Sequence, residues 1–442
     1  MHENIGLLVN LSVSLVLALA LGLVTQRLRL SPIVGYLLAG VALGPHTPGF
    51  EADPKLAAEL AEIGVVLLMF GVGLHFNLGE LLAVRRIALP GAIGQILVAT
   101  LLGMLVAAWA GMSIGAGLVI GVAISVASTV VLLRVLMDND ILHTTRGHMA
   151  VGWLIVEDLF TVLVLVALPA LASTFREGAD EEPNLLLALC IAVAKVGALG
   201  LIVMAGGRVA IPWLLRQVAR SRSRELFTLT VLALALAVAT GSAVIFGVSM
   251  ALGAFLAGMV VGQTEVSHQA AADALPMRDA FAVLFFVSVG MLFDPHVLVE
   301  SPGLLLSILA VVLMAKPLTA FLIIWALRYS ASSAFIVAVA LAQIGEFSFL
   351  LADEAARHRL LPPAGHSLLV ACALISITLN PILFRALDPF EKWLRSNPRL
   401  WRALNLRSEA GGAVSNLEMQ ERLAEAGEEP LVTAVVVGYG PV

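Results

Sequence analysis

Uninterrupted apolar blocks constrain this chain more than anything else in it. NLSVSLVLALALGLV from Asn10 and GAIGQILVATLLGMLVAAWAGM from Gly91 set the pattern, which recurs almost to residue 390. Blocks of roughly 18–25 apolar residues are what a helix needs to cross a ~30 Å hydrocarbon layer, whereas barrel strands would be short and alternating. Composition agrees: 60% of the residues are hydrophobic and 13% charged, about half the charge of an ordinary soluble domain. The expected fold class is therefore an all-α polytopic membrane protein. The net charge of -5 says little, because most charge falls in loops. Cys190 and Cys372 both lie in apolar blocks and read as packing residues. The first block lacks a basic leader and a small-residue cleavage site, so it is expected to be the first span.

About thirteen spans are expected, near residues 6–25, 32–46, 58–76, 87–110, 114–137, 147–172, 185–215, 225–244, 246–263, 277–293, 303–327, 333–353 and 365–387. One set of connecting loops carries Arg27, Arg85, Arg86, Arg146, the run from Arg216 to Arg224, Arg278, Arg328 and Arg385. The other set (GPHTPGFEADP, FREGADEEPN, ADEAARHRLLPPAG) is neutral or acidic. Since basic loops stay in the cytoplasm, the N-terminus is expected outside and the C-terminus inside.

The chain repeats itself. GYLLAGVALGP from Gly35 matches GAFLAGMVVGQ from Gly253, and VLLMFGVGLHF from Val66 matches VLFFVSVGMLF from Val283. Partners lie an odd number of spans apart and so cross in opposite senses. Spans 1–6 and 8–13 thus form an inverted repeat, the pattern of alternating-access transporters with a midplane site. Residues 1–390 are expected to be the transport domain and 391–430, opening with EKWLRSNPRLWRALNLR, a cytoplasmic surface helix and linker. LVTAVVVGYGPV at 431–442 resembles the first strand and turn of a dinucleotide-binding unit, with Gly438 and Gly440 but no third glycine or helix. It is expected to be a truncated start that binds no cofactor by itself.

Ionised groups at mid-membrane are costly and are functional candidates by default. Glu157 and Asp158 lie midway along span 6, Lys316 in span 11, Glu346 in span 12, and Lys195 in the linker span 7, where a structural role is expected. Gln95 and Gln343 accompany them. Neighbours on a helix point about 100° apart, so Glu157 and Asp158 are expected to face different partners, with Lys316 the basic partner the repeats offer. Ser125, Ser128 and Thr129 in span 5 and Gln343, Gly345 and Glu346 in span 12 are what discontinuous helices require, and open half-helix ends can coordinate a cation. The histidines cluster near span ends and suggest no metal site, and no enzymatic motif is evident.

VGYLLAGVALGP, LLMFGVGLHF, SVASTVVLLRVL, GWLIVEDL, SRELFTL, GAFLAGMV, DAFAVLFFVSVGMLFDP and AQIGEFSF together resemble the Kef/YbaL-like monovalent cation:proton antiporters, and more distantly the Nha-type sodium:proton antiporters. The resemblance implies an NhaA-like fold with crossed broken spans 5 and 12. It also implies a homodimer with a dimerisation and a mobile core domain in a bacterial inner membrane. Asp158 would bind the cation or a proton, with Ser128 and Thr129 as further ligands, and Glu157 would pair with Lys316 of AKPL. Here the first acid is Glu rather than Asp or Gln. The expected partners are K+ or Na+, H+ and lipid, with no nucleic acid; a nucleotide belongs to an RCK/TrkA-N-type domain further on. A channel would need no titrating midplane acid, and a sodium-coupled solute symporter would need a larger polar cavity.

Overall fold

A computed structural model describes residues 2–28, 30–48, 53–75, 78–142, 144–174, 185–246, 249–399, 401–402 and 404–405. The helices are α1 His2–Arg27, α2 Pro32–Leu43, α3 Pro54–His75, α4 Leu78–Trp109, α5 Ile114–Ser125, α6 Thr129–Asp138, α7 Thr145–Thr174, α8 Leu185–Arg220 and α9 Arg224–Phe246. They continue with α10 Met250–Gly262, α11 Ser267–Met291, α12 Val297–Glu300, α13 Pro302–Ala310, α14 Lys316–Ala326, α15 Ala331–Ala340, α16 Glu346–Arg357 and α17 Pro363–Arg395. A π-helical turn, Val311–Ala315, joins α13 to α14. Among the described residues there is no strand.

Among the described residues, ten helical stretches are long and apolar enough to cross a membrane, the broken α5–α6 stretch among them. Three shorter apolar helices, α2, α10 and α15, fall where the remaining spans were expected. α17 runs on to Arg395, so residues 391–395 continue the same helix as the last expected span. The side chains of Lys195 and Cys190, and the glycines Gly438 and Gly440, lie outside the described part. Cys372 is a buried free thiol.

Two groups of helices form. α1, α2 and α3 pack with α9, α10 and α11, while α4–α7 pack with α13–α17; α8 touches α7, α9 and α10. The repeat explains the first group. Both short helices start at a serine N-cap four residues before the matched glycine: Ser31 before Gly35 and Ser249 before Gly253. A side chain on Gly40 would strike Val287 O and Gly290 of α11, and one on the equivalent Gly258 would strike Phe70 O and Leu74 of α3. The same backbone-to-backbone approach is thus made twice with the repeats exchanged, as small residues at membrane-helix interfaces permit. In the second group each repeat contributes one broken helix, α5–α6 and α15–α16, and the two breaks cross.

Candidate ion-binding site

α5 ends at Ser125 and α6 begins at Thr129; α15 ends at Ala340 and α16 begins at Glu346. Each break leaves backbone donors and acceptors without helical partners in the protein interior, where an unpaired group is expensive. The sequence supplies side-chain and backbone partners for several of them. Gln343 clamps Ser128: its Oε1 accepts from Ser128 N at 2.9 Å and its Nε2 donates to Ser128 O at 3.1 Å. Gly345 N donates to Val126 O at 3.0 Å, directly joining the two extended segments. A Cβ at 345 would meet Ala127 O and Ser128 N, so this contact requires glycine. Ile344 N donates to Ser376 Oγ at 3.2 Å, and Asn380 donates to Val339 O at 2.7 Å. Ser376, Asn380 and Ser348, which donates to Ala123 O, were not singled out from sequence. Their signal is a polar side chain inside an apolar block.

Glu157 belongs to this scaffold. Ala127 N donates to its Oε2 at 2.8 Å, and Gln95 Nε2, which also donates to Ser125 O at 3.1 Å, donates to its Oε1. Both carboxylate oxygens are occupied and the residue is fully buried. Lys316, also buried, was expected to pair with Glu157. No ion pair within 4.0 Å joins them among the described residues; Lys316 Nζ instead donates to Gln343 O at 3.0 Å. Each charge is attached to a different extended segment: the anion to a free N–H, the cation to a free carbonyl. The two feel each other electrostatically without touching. The π-helical turn and Pro317 immediately around Lys316 fix where that side chain leaves its helix.

Asp158 is placed differently. It is 7% exposed, Thr129 Oγ1 donates to its Oδ2 at 2.9 Å, and its Oδ1 is buried with no partner. Thr129 is the first residue of α6, so the carboxylate sits at the positive end of that half-helix. Ser128 caps the same helix, its Oγ accepting from Val131 N at 3.2 Å. The Ser125 hydroxyl donates back to Val122 O at 2.7 Å within its own helix. Glu346, assigned from sequence to supporting the broken helix, is the first residue of α16, 3% exposed, and close enough to Asp158 to repel it. Its Oε2 is likewise buried without a partner. The carbonyls of Ser125, Val126 and Ser128 accept one hydrogen bond each, from Gln95, Gly345 and Gln343. Around the crossing, the buried atoms left without a partner include Asp158 Oδ1 and Glu346 Oε2, the amide oxygens of Gln95 and Asn380, and Trp153 Nε1; of these, only the two carboxyl oxygens can carry a negative charge.

A cavity of about 1330 Å³ opens on one face of the molecule, between the two groups of helices. Its inner lining includes Leu165, Phe285 and Leu350, and its rim carries Glu62, Asp353 and Arg357. Arg357 Nη2 lies 2.6 Å from Glu62 Oε1, tying α16 to α3 across the rim. Half-burial disfavours the Arg357 charge, but the bond to Glu62 more than restores it and keeps that pKa above its ordinary value. Nearby, His296 donates its backbone N–H to Asp294 at 2.9 Å and its ring lies 2.7 Å away, holding the Asp294 carboxyl below its ordinary range. His46 and Asp294 both line the cavity, and with His296 beside Asp294 three side chains of metal-ligand type come close together.

The family model for the transmembrane part of sodium/hydrogen exchangers matches residues 13–387, nearly the whole described region. The chain is a member of the sodium/hydrogen exchanger family. A relative within it, the putative cation/proton antiporter YbaL of Escherichia coli, is 52% identical over 390 residues, covering 88% of this chain and 70% of its own. K(+) efflux antiporter 4 of Arabidopsis thaliana is 31% identical over 356 residues, 80% of this chain and 59% of that one. Among solved structures, the sodium proton antiporter MjNhaP1 of Methanocaldococcus jannaschii superposes with a TM-score of 0.62 over 87% of this chain and 99% of its own. At 18% identity that likeness speaks for the exchanger fold alone.

Proposed function

We propose that this exchanger-family chain swaps a monovalent cation, K+ or Na+, for protons across a bacterial inner membrane, with Asp158 carrying either one in turn. The observation behind this reading is the Oδ1 of Asp158: a buried carboxylate oxygen without a partner, at a half-helix N-terminus, beside the crossing of two broken helices. A bare carboxylate is costly in the membrane interior; with a proton or a cation bound it is neutral. If only the neutralised group passes from one side to the other, the two ions compete for one seat and exchange is obligatory. Crossing of the empty, charged site is suppressed. The α4–α7 and α13–α17 group would move as the carrier against the other group in an elevator-like alternating-access cycle. In this reading the cavity face lies outside, with the N-terminus outside, the C-terminus in the cytoplasm, and a homodimer formed through the stationary group.

The scaffold around Asp158 supports reading it, and not Glu157, as the carrier. Glu157 has both oxygens committed to Gln95 and Ala127, whereas Asp158 keeps one oxygen for cargo. The test uses purified protein in liposomes loaded with a pH-sensitive dye. K+ or Na+ added outside should discharge a proton gradient in the wild type and not in Asp158→Asn, folding being checked by thermal melting and size-exclusion profile. Full cation-driven proton flux in Asp158→Asn would overturn the proposal. Electrical currents without proton exchange in the same variant would point to a channel.

A further inference from the structure

Glu346 was expected only to support a broken helix, yet it has the features that mark Asp158. It is 3% exposed and opens α16, and its Oε2 is buried with no hydrogen-bond partner. The groups acting on it include the Ser128 side chain and the Val130 amide, at the N-cap and in the first turn of α6, and its own backbone N–H. Asp158 is held at that same turn through Thr129. The two carboxylates therefore converge on one half-helix end from opposite repeats and repel each other electrostatically. Two buried carboxyl oxygens without hydrogen-bond partners in a desolvated region call for neutralisation, by a proton on one of them or by a cation held between them.

We infer that Glu346 supplies the second carboxylate of the cation site, so that one monovalent cation is held between Asp158 Oδ1 and Glu346 Oε2. The inference rests on the exchange reading above and adds a ligand to the same site. Charge supports it. The N-termini of α6 and α16 each act as roughly half a positive charge. Together with one bound cation they offset two carboxylates, and Glu157 and Lys316 offset one another. Arg278 of α11 is the further charged group acting on Glu346. Access supports it as well. Leu350, on the cavity lining, is one helical turn from Glu346 along α16, roughly 6 Å, whereas Leu165 is about two turns from Asp158 along α7, roughly 10 Å. A cation descending from the cavity meets Glu346 first. The edge-to-face contact of Phe286 with Phe349, 6.5 Å between centroids, packs α11 against α16 beside that route.

The experiment measures K+ and Na+ affinity and exchange in wild type, Glu346→Gln, Glu346→Asp and Asp158→Asn, reconstituted and matched for melting temperature. Glu346→Gln should raise the cation KM by about tenfold or more, as loss of a charged ligand does. Glu346→Asp, which keeps the charge, should recover most of that loss. Calorimetric titration of K+ or Na+ into the detergent-solubilised variants reads the same affinity change if turnover is too slow to follow. An unchanged KM and binding constant in folded Glu346→Gln, with Asp158→Asn inactive, would overturn Glu346 as a ligand and leave the exchange reading standing. Full activity in Asp158→Asn would remove both.

Discussion

Glu157 and Lys316 act as a pair without being in contact. Each is bonded to a different extended segment of the crossing, so each variant should have two effects: a backbone group losing its partner and a buried charge losing its counter-charge. Lys316→Met leaves Gln343 O without its donor and Glu157 without a nearby cation. We expect a loss of about 2–4 kcal/mol, read as a lower melting temperature in detergent. Glu157→Gln should also destabilise. If the charges act through space, the double variant should be more stable than the two single effects predict, by about 1 kcal/mol or more. Strict additivity would show that they are independent. The sequence was enough to single out both residues, because charge is conspicuous in an apolar block. It could not tell a direct ion pair from two separate backbone attachments, since that depends on which backbone groups the breaks leave open. The same limit applies to Glu346, whose position next to Asp158 depends on the crossing of two repeats and not on any local pattern.

Among the elements, the broken helices carry the argument. Their existence was legible from small and hydroxyl residues at matching places in the two repeats. Their hydrogen-bond pattern was not. The carbonyls of Ser125, Val126 and Ser128 each accept one hydrogen bond, from Gln95, Gly345 and Gln343, which leaves each a single lone pair. Gly345 is the tightest point, since any Cβ there would strike Ala127 O and Ser128 N. Gly345→Ala should push the segments apart and lengthen or break the bond from Gly345 N to Val126 O. The cost should be about 1–3 kcal/mol of stability, with a larger loss of exchange activity than the stability loss explains. Gly241→Ala inside α9 is the matched control. Nothing lies within 4 Å of a Cβ there, so the change should be neutral or stabilise by about 0.5–1 kcal/mol. Equal losses in both variants would mean that the crossing is not a tight contact.

At the scale of the molecule, two groups of helices enclose a cavity whose rim is tied by Arg357 of α16 and Glu62 of α3, 2.6 Å apart. The ends of this bond belong to different groups, so it favours whichever arrangement keeps the cavity open on this face. Both side chains are substantially exposed, at 58% and 41%, which limits the pair to about 0.2–1 kcal/mol. That is roughly a 1.5- to 5-fold bias in a two-state equilibrium, small enough to be reversed in each cycle. Arg357 stays charged over the working range, because Glu62 raises a pKa that already starts very high. Salt is therefore the direct way to weaken it: the Debye length falls from about 10 Å at 0.1 M to about 3 Å at 1 M. Ser288 lines the cavity, so a cysteine placed there reports how often the cavity is open to a membrane-impermeant thiol reagent. In that background Glu62→Gln should slow labelling by up to about fivefold at low salt and hardly at all near 1 M. Reversing both charges, Glu62→Arg with Arg357→Glu, should restore the rate, while either reversal alone should slow it further. If labelling ignored all four variants, the ion pair would have no part in setting which face is open, and the cavity would owe its exposure to helix packing alone.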